Sequence, residues 1–280
     1  MKNIFITCVI AIGLMTHYAS AAGMNVLISD TRPYQGDTVV ITINGKEKPR
    51  SLTFNNAEVN VFAYRSGSMA VIPIPASQKV GAYALSIAFE HGETFTRTIT
   101  VRAKKFVTVV LGIPKELGLT TQGLTTKLAE EKVSIDAAIA STTPEAMFQK
   151  SFGLPLKNNT NITSTFGEIR KTGDSVIRHW GIDIKAPAGS VVGAISGGVV
   201  KRVYTDTVYG KVIIIDHGEG IYSLYMHLQS QLVKEGDRIE RGTLIGRVGN
   251  TGYSTAPHLH LSIKVNSISV DPTRFVMGFK

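Results

Sequence analysis

From Pro155 onward the chain is broken by glycine at short intervals. Thirteen glycines fall between residues 181 and 252, separating short runs rich in Val and Ile. Glycine accepts positive φ and weakens helix interiors, so this spacing argues against long helices and selects hairpins joined by tight turns. The second half is therefore read as an antiparallel β-domain. Its last glycines, Gly249 and Gly252, lead through Pro257 into His258-Leu259-His260-Leu261-Ser262-Ile263. Apolar and polar residues alternate there, which predicts a strand over 258–264. Side chains two apart share one face of a strand, so His258 and His260 look into the same space.

The N-terminus addresses compartment. Lys2 precedes an apolar run over residues 4–15, followed by Ala19-Ser20-Ala21-Ala22. A basic start, a short apolar core and small residues predict a cleavable signal peptide over 1–21 and export to the periplasm. The run is too short to span a bilayer, and no stable membrane span is expected elsewhere. The single cysteine, Cys8, lies inside it, so the mature chain would have no disulfide and no thiol chemistry. Loss of Lys2 lowers the formal charge from +9 to +8. A basic exported chain suits an acidic polymer, and neither its location nor its motifs favour nucleic acid.

Residues 22–103 carry seven short apolar runs, at 26–28, 38–43, 52–54, 59–64, 69–74, 82–89 and 94–101. Turns at Asn44-Gly45, Ser66-Gly67 and His91-Gly92 separate some of them, the pattern of an immunoglobulin-like β-sandwich. His91 reads as a solvated loop residue. Over 104–150 the character changes: Leu124, Leu128, Ile135 and Ile139 are spaced as one stripe of a helix, with Lys127, Glu130, Glu131, Lys132 and Asp136 expected elsewhere around it. This predicts a linker with one amphipathic helix, packed on a neighbouring domain or shielding a groove. Residues 151–280 form the last domain.

Five of the six histidines that remain after residue 21 fall in this last domain: His179, His217, His227, His258 and His260. His179-Trp180-Gly181-Ile182-Asp183 adds a carboxylate four residues from an imidazole. Together with one histidine of the His-x-His strand, these would offer zinc three protein ligands and leave a position for water, the arrangement of a catalytic site.

His179-x-x-x-Asp183, Tyr225-x-His227-Leu228 and Gly252-x-Ser254-x-x-Pro257-His258-Leu259-His260 together resemble the motifs of lysostaphin-type (LytM-domain) zinc metallopeptidases, which cut peptide cross-links of bacterial cell walls. The resemblance extends from about Phe152 to Phe275. It includes Ser164-Thr165-Phe166-Gly167, Ala186-Pro187-x-Gly189, Gly197-Gly198-Val199-Val200, Ile215-Asp216-His217-Gly218 and Asp271-Pro272. It implies a twisted antiparallel sheet with the site in a groove. One zinc per chain would be held by His179, Asp183 and His260, with His227 and His258 as catalytic residues and His217 as a turn residue. An upstream tyrosine that some relatives place near zinc has no counterpart between Phe152 and His179. With export, the resemblance points to peptidoglycan stem peptides of the periplasm, cross-linked from D-alanine to meso-diaminopimelate, as substrate; it names no regulator.

Two other classes fit parts of the chain. A non-catalytic LytM-domain activator of another wall hydrolase would share the fold, although such proteins typically lose ligands that are all present here. A biotinyl or lipoyl carrier domain would share the hairpin around Gly236 and Gly242, but has no use for the histidines.

Overall fold

The computed structural model describes residues 17–21, 24–113, 118–148, 151–157, 161–173 and 175–279. Most of the expected leader, including Cys8, lies outside these residues, as do residues 22 and 23 next to the expected cleavage point. No helix among the described residues is long and apolar enough to cross a membrane.

Two antiparallel sheets form the N-terminal part. One is ordered His17–Ala21, Met24–Ile28, Thr38–Asn44, Gly67–Pro73, Val61–Tyr64; the other is ordered Ala57–Glu58, Pro49–Phe54, Gly81–Phe89, Thr94–Val101. Val39, Ile41, Ile43 and Ile72 of the first meet Leu52, Leu85, Ile87 and Ile99 of the second in one core, so the pair is a two-layer sandwich. The first sheet is buried on both faces. Val40, Phe62, Met69 and Val71 point the other way and join the core of the C-terminal part, which accounts for the unbroken Val39-Val40-Ile41 run where a half-exposed strand would alternate.

The C-terminal part is built on one large antiparallel sheet. Its order is Ile162–Ser164, Ile182–Lys185, His258–Val265, Ile221–Gln231, Lys211–Asp216, Gly198–Thr205, Arg238–Ile239. Tyr225, Leu259, Leu261, Ile263, Ile213 and Ile215 turn to the back, against Phe148, Phe152 and Phe275. The back of the sheet thus carries the main core and the contact with the sandwich. The short C-terminal helix α2, Pro272–Gly278, is capped by Asp271, whose side chain accepts from the backbone of Thr273 and Arg274. Arg274 reaches across to Asp30 at 3.3 Å and Asp37 at 3.2 Å, while Lys104 pairs with Asp271 at 2.6 Å.

The intervening segment joins the C-terminal part closely. Thr108–Val110 runs parallel to Ile169–Thr172, which pairs in turn with Ser175–Arg178, making a three-stranded sheet. Helix α1, Thr121–Ala138, starts at Thr120, whose hydroxyl accepts from Gly123 N at 3.1 Å. Its Ile135, with Ile139 just past its end, packs on Val212, Ile214, Tyr222, Leu224 and Met226. Register places Leu224 opposite Ser262 and Met226 opposite His260, so α1 lies on the same face of the sheet as the His-x-His pair.

One placement on α1 differs from the expected one. Glu131, expected off the apolar stripe, is 7% exposed. It lies seven residues after Leu124 and four before Ile135, which puts it on the stripe itself. It is accommodated because its carboxylate accepts from Val208 N at 3.0 Å and lies beside the Asp206 carboxyl. Burial, then the Asp206 charge, pushes the Glu131 pKa upward; burial also raises that of Asp206.

Candidate metal centre and groove

His179, Asp183 and His260 converge, each buried. His179 sits just before the strand Ile182–Lys185, on which Asp183 faces His260 of the neighbouring strand in register. The atoms His179 Nε2, Asp183 Oδ1 and His260 Nδ1 form a triangle with sides of 3.0, 2.8 and 2.9 Å. Bonds of about 2.0 Å to a tetrahedral ion require ligand atoms about 3.3 Å apart, so the triangle fits zinc with a slight opening. Gly181 permits this approach: a Cβ there would stand 2.5 Å from His260 Nε2 and 2.4 Å from the Leu261 carbonyl oxygen.

Each of the three is fixed from behind. His179 Nδ1–H donates to the Thr165 carbonyl at 3.0 Å, leaving Nε2 with its lone pair. Ser262 Oγ donates to the Trp180 carbonyl at 2.8 Å and therefore accepts from His260 Nε2–H at 2.8 Å, which frees His260 Nδ1. Arg170 donates to Asp183 Oδ2 at 2.6 Å and to Glu168 Oε1 at 3.0 Å, leaving Oδ1 for the triangle. Such outer contacts set the tautomer and aim of a metal ligand. Charge states agree with them. Burial pushes the His260 pKa down to about 4, keeping the imidazole neutral.

His227 and His258 lie beside the triangle, with ring centroids 4.8 Å apart. His258 Nδ1 contacts the Ala256 carbonyl at 2.8 Å and Ser254 Oγ at 3.1 Å, and its Nε2 stands 3.6 Å from Asp183 Oδ1. His227 Nδ1–H donates to the Thr251 carbonyl at 2.8 Å. Strict alternation would turn His227 to the back of the sheet, since Met226 faces the front. Instead its φ is +60°, beside an irregularity in the pairing with Lys211–Asp216, and this kink swings the ring forward. Burial, then the neighbouring His258 and His260, pushes the His227 pKa down to about 3.

The other two histidines have other places. His217 is buried behind the sheet, with Nδ1 at 2.6 Å from the Gly197 carbonyl and Nε2 at 2.7 Å from Ser223 Oγ. His91 is exposed beside Glu47. Arg170, Ser262 and Thr165, which hold the three converging residues, were not singled out as site residues from sequence. A lone arginine or serine carries no signal of its own, and a backbone carbonyl carries none at all.

A cavity of about 640 Å³ opens over His179, His227 and His260. Leu128, Lys132 and Ile135 of α1 form one wall. Trp180, 44% exposed, lies at its edge together with Arg178.

An antiparallel sheet that presents a buried His-Asp-His triangle on its front face, with two more imidazoles beside it, is a candidate mononuclear metal centre. Residues 177–272 match the model of peptidase family M23, and this part of the chain is an M23 domain. It is 39% identical over 94 residues to the peptidoglycan DD-endopeptidase ShyC of Vibrio cholerae, covering 34% of this chain and 22% of that protein. It is 41% identical over 103 residues to the glycyl-glycine endopeptidase ALE-1 of Staphylococcus capitis, covering 36% and 28% respectively. The matches thus span about a quarter of these curated relatives. A crystal structure of an M23-type protein from Pseudomonas aeruginosa covers 88% of this chain and 96% of its own, with 27% identity and a TM-score of 0.59.

Proposed function

We propose that this protein is a zinc-dependent endopeptidase that cuts peptide cross-links of peptidoglycan in the periplasm, at the bond from D-alanine to meso-diaminopimelate. The observation that carries the reading is the triangle of His179, Asp183 and His260 with every ligand's far atom already held. In this reading those three residues hold one zinc ion. When bound, zinc polarises a carbonyl and makes water acidic near neutral pH.

The remaining chemistry falls to two imidazoles. His227 binds a backbone carbonyl through Nδ1–H, so its Nε2 is a neutral acceptor facing the site. His258 does the same through Ala256 and is the more open of the two. We assign His258 to take a proton from water and return it to the departing amine. His227 presents its Nε2 lone pair to the same space and is assigned to accept a hydrogen bond from the water and so help aim it. The metal dependence is tested by stripping the protein with a chelator and restoring zinc: both metal content and hydrolysis of a soluble cross-linked muropeptide should return together, and hydrolysis unaffected by removal would refute the reading.

The activator reading has one observation in its favour, the packing of α1 over the front of the sheet. We read that packing as a resting state, because a protein that only binds needs neither the ligand triangle nor its supports. Retained metal without hydrolysis, coupled with stimulation of a second wall hydrolase, would favour the activator.

A further inference from the structure

The strand His258–Val265 sends every second side chain to the front: His258, His260, Ser262, then Lys264. Lys264 is opposite Tyr222, as His260 is opposite Met226, with Leu224 and Ser262 between. The ammonium therefore stands at the far end of the groove floor from the metal centre, about 13 Å along the strand at about 3.3 Å per residue. Its side chain is only 13% exposed, and it lines the same cavity as His179 and His227.

A buried ammonium needs a close anionic partner. The one carboxylate within 4 Å of Lys264 among the described residues is Asp136 of α1, at 3.7 Å, beyond hydrogen-bond distance. Burial pushes the Lys264 pKa down. Asp136, by contrast, has a second cation: Lys132, one turn earlier on the same helix, pairs with it. The two partners are thus unequal. If α1 moved away, Asp136 would keep a counter-ion and Lys264 would lose its own.

We propose that Lys264 is the anchor for a free carboxylate of an extended peptide lying along the groove, and that Asp136 occupies this position in the resting chain. Lys264 lies about 13 Å along the strand from His260 at about 3.3 Å per residue, so the carboxylate recognised would lie at a comparable distance from the bond held over the metal centre. The apolar floor between, Leu224 and Met226, asks for no charge along the way. The inference rests on the reading of the site as an endopeptidase of stem peptides, which carry such carboxylates.

Trp180 is the only tryptophan and borders this cavity, so its fluorescence reports occupancy without requiring turnover. The full, zinc-loaded chain would be titrated with a cross-linked muropeptide and with the same peptide after its carboxylates are converted to carboxamides, and cleavage would be followed in parallel. The carboxylate form should bind more tightly, on the order of tenfold for one charge-assisted contact. Asp136→Asn should widen that preference by removing the internal competitor. Lys264→Gln should abolish it while zinc content stays unchanged, and Lys264→Arg should restore it. Cleavage with equal binding of both peptides, or a preference that survives in Lys264→Gln, would overturn the anchor and leave the endopeptidase reading intact. Absence of binding and cleavage for either peptide, in the parent chain and in Asp136→Asn, would overturn both.

Discussion

Arg170 Nη2 stands 2.6 Å from Asp183 Oδ2, so the carboxylate reaches the candidate metal centre with one oxygen already committed. Arg170 is itself braced by Glu168 at 3.0 Å. Removing the guanidinium should let Asp183 rotate and should weaken metal binding. Arg170→Ala is expected to lower zinc affinity about 10- to 100-fold, the usual effect of losing an outer partner, as read by competition with a chromogenic chelator. An unchanged affinity would show that Asp183 is held by its two histidine contacts alone.

The two histidines of the strand should fail differently. His260→Ala removes one of three ligands and is expected to leave the protein without stoichiometric zinc. His258→Ala leaves the triangle whole; it should retain zinc while turnover falls by about 10² to 10⁴. Metal analysis beside kcat distinguishes the pair, and the reverse pattern would invert the roles.

Glu131 makes the seating of α1 depend on pH. Its folded pKa is pushed up to about 8, by burial first and by Asp206 second, from an ordinary 4.5. The folded state therefore favours the protonated acid. This contribution to seating is complete below about pH 4.5 and is lost as pH rises through about 8. Asp206 is shifted in the same direction. Hydrogen exchange of the amides of residues 121–138 should accelerate from pH 5 to pH 9 beyond the intrinsic chemical rate. Glu131→Gln, which keeps a neutral side chain, should flatten that excess; the same excess in the variant would assign it to another group.

Ile135 and Ile139 tie α1 to the front of the sheet. Replacing both by Asn removes the apolar contact of two side chains, each worth about 2 to 5 kcal/mol when cut back in a core. The double variant is expected to expose α1 to protease and to raise hydrolysis of a soluble cross-linked muropeptide several-fold. Greater protease sensitivity with no gain in rate would mean that α1 does not obstruct the groove.

Much of the site was legible because it is written in local patterns. Period-two alternation put His258 and His260 on one face, and the close spacing of His179 and Asp183 made them candidate partners for that strand. What stayed hidden depends on contacts distant in sequence. Arg170 meets Asp183 only because two strands of different sheets come together, and Thr108–Val110 joins Ile169–Thr172 across nearly sixty residues. Glu131 misled because its type favours solvent while its position lies on the apolar stripe; only the Val208 amide and the Asp206 carboxyl explain its burial. The forward turn of His227 arises from a positive φ in mid-strand, which alternation cannot anticipate.

The central claim, a zinc-dependent cut in peptidoglycan cross-links, is tested most directly by digesting purified meso-diaminopimelate-type sacculi and identifying the muropeptides by mass spectrometry. The Ile135→Asn/Ile139→Asn variant would be run beside the parent chain so that a covered groove cannot mask activity. Cross-linked dimers should be converted to monomers by the zinc-loaded protein, chelator should stop the conversion, and His258→Ala should nearly abolish it. Dimers that persist in both the parent and the helix variant, with one zinc bound per chain, would contradict the account; cleavage of pentaglycine by the same preparations would then identify a glycyl-glycine specificity instead.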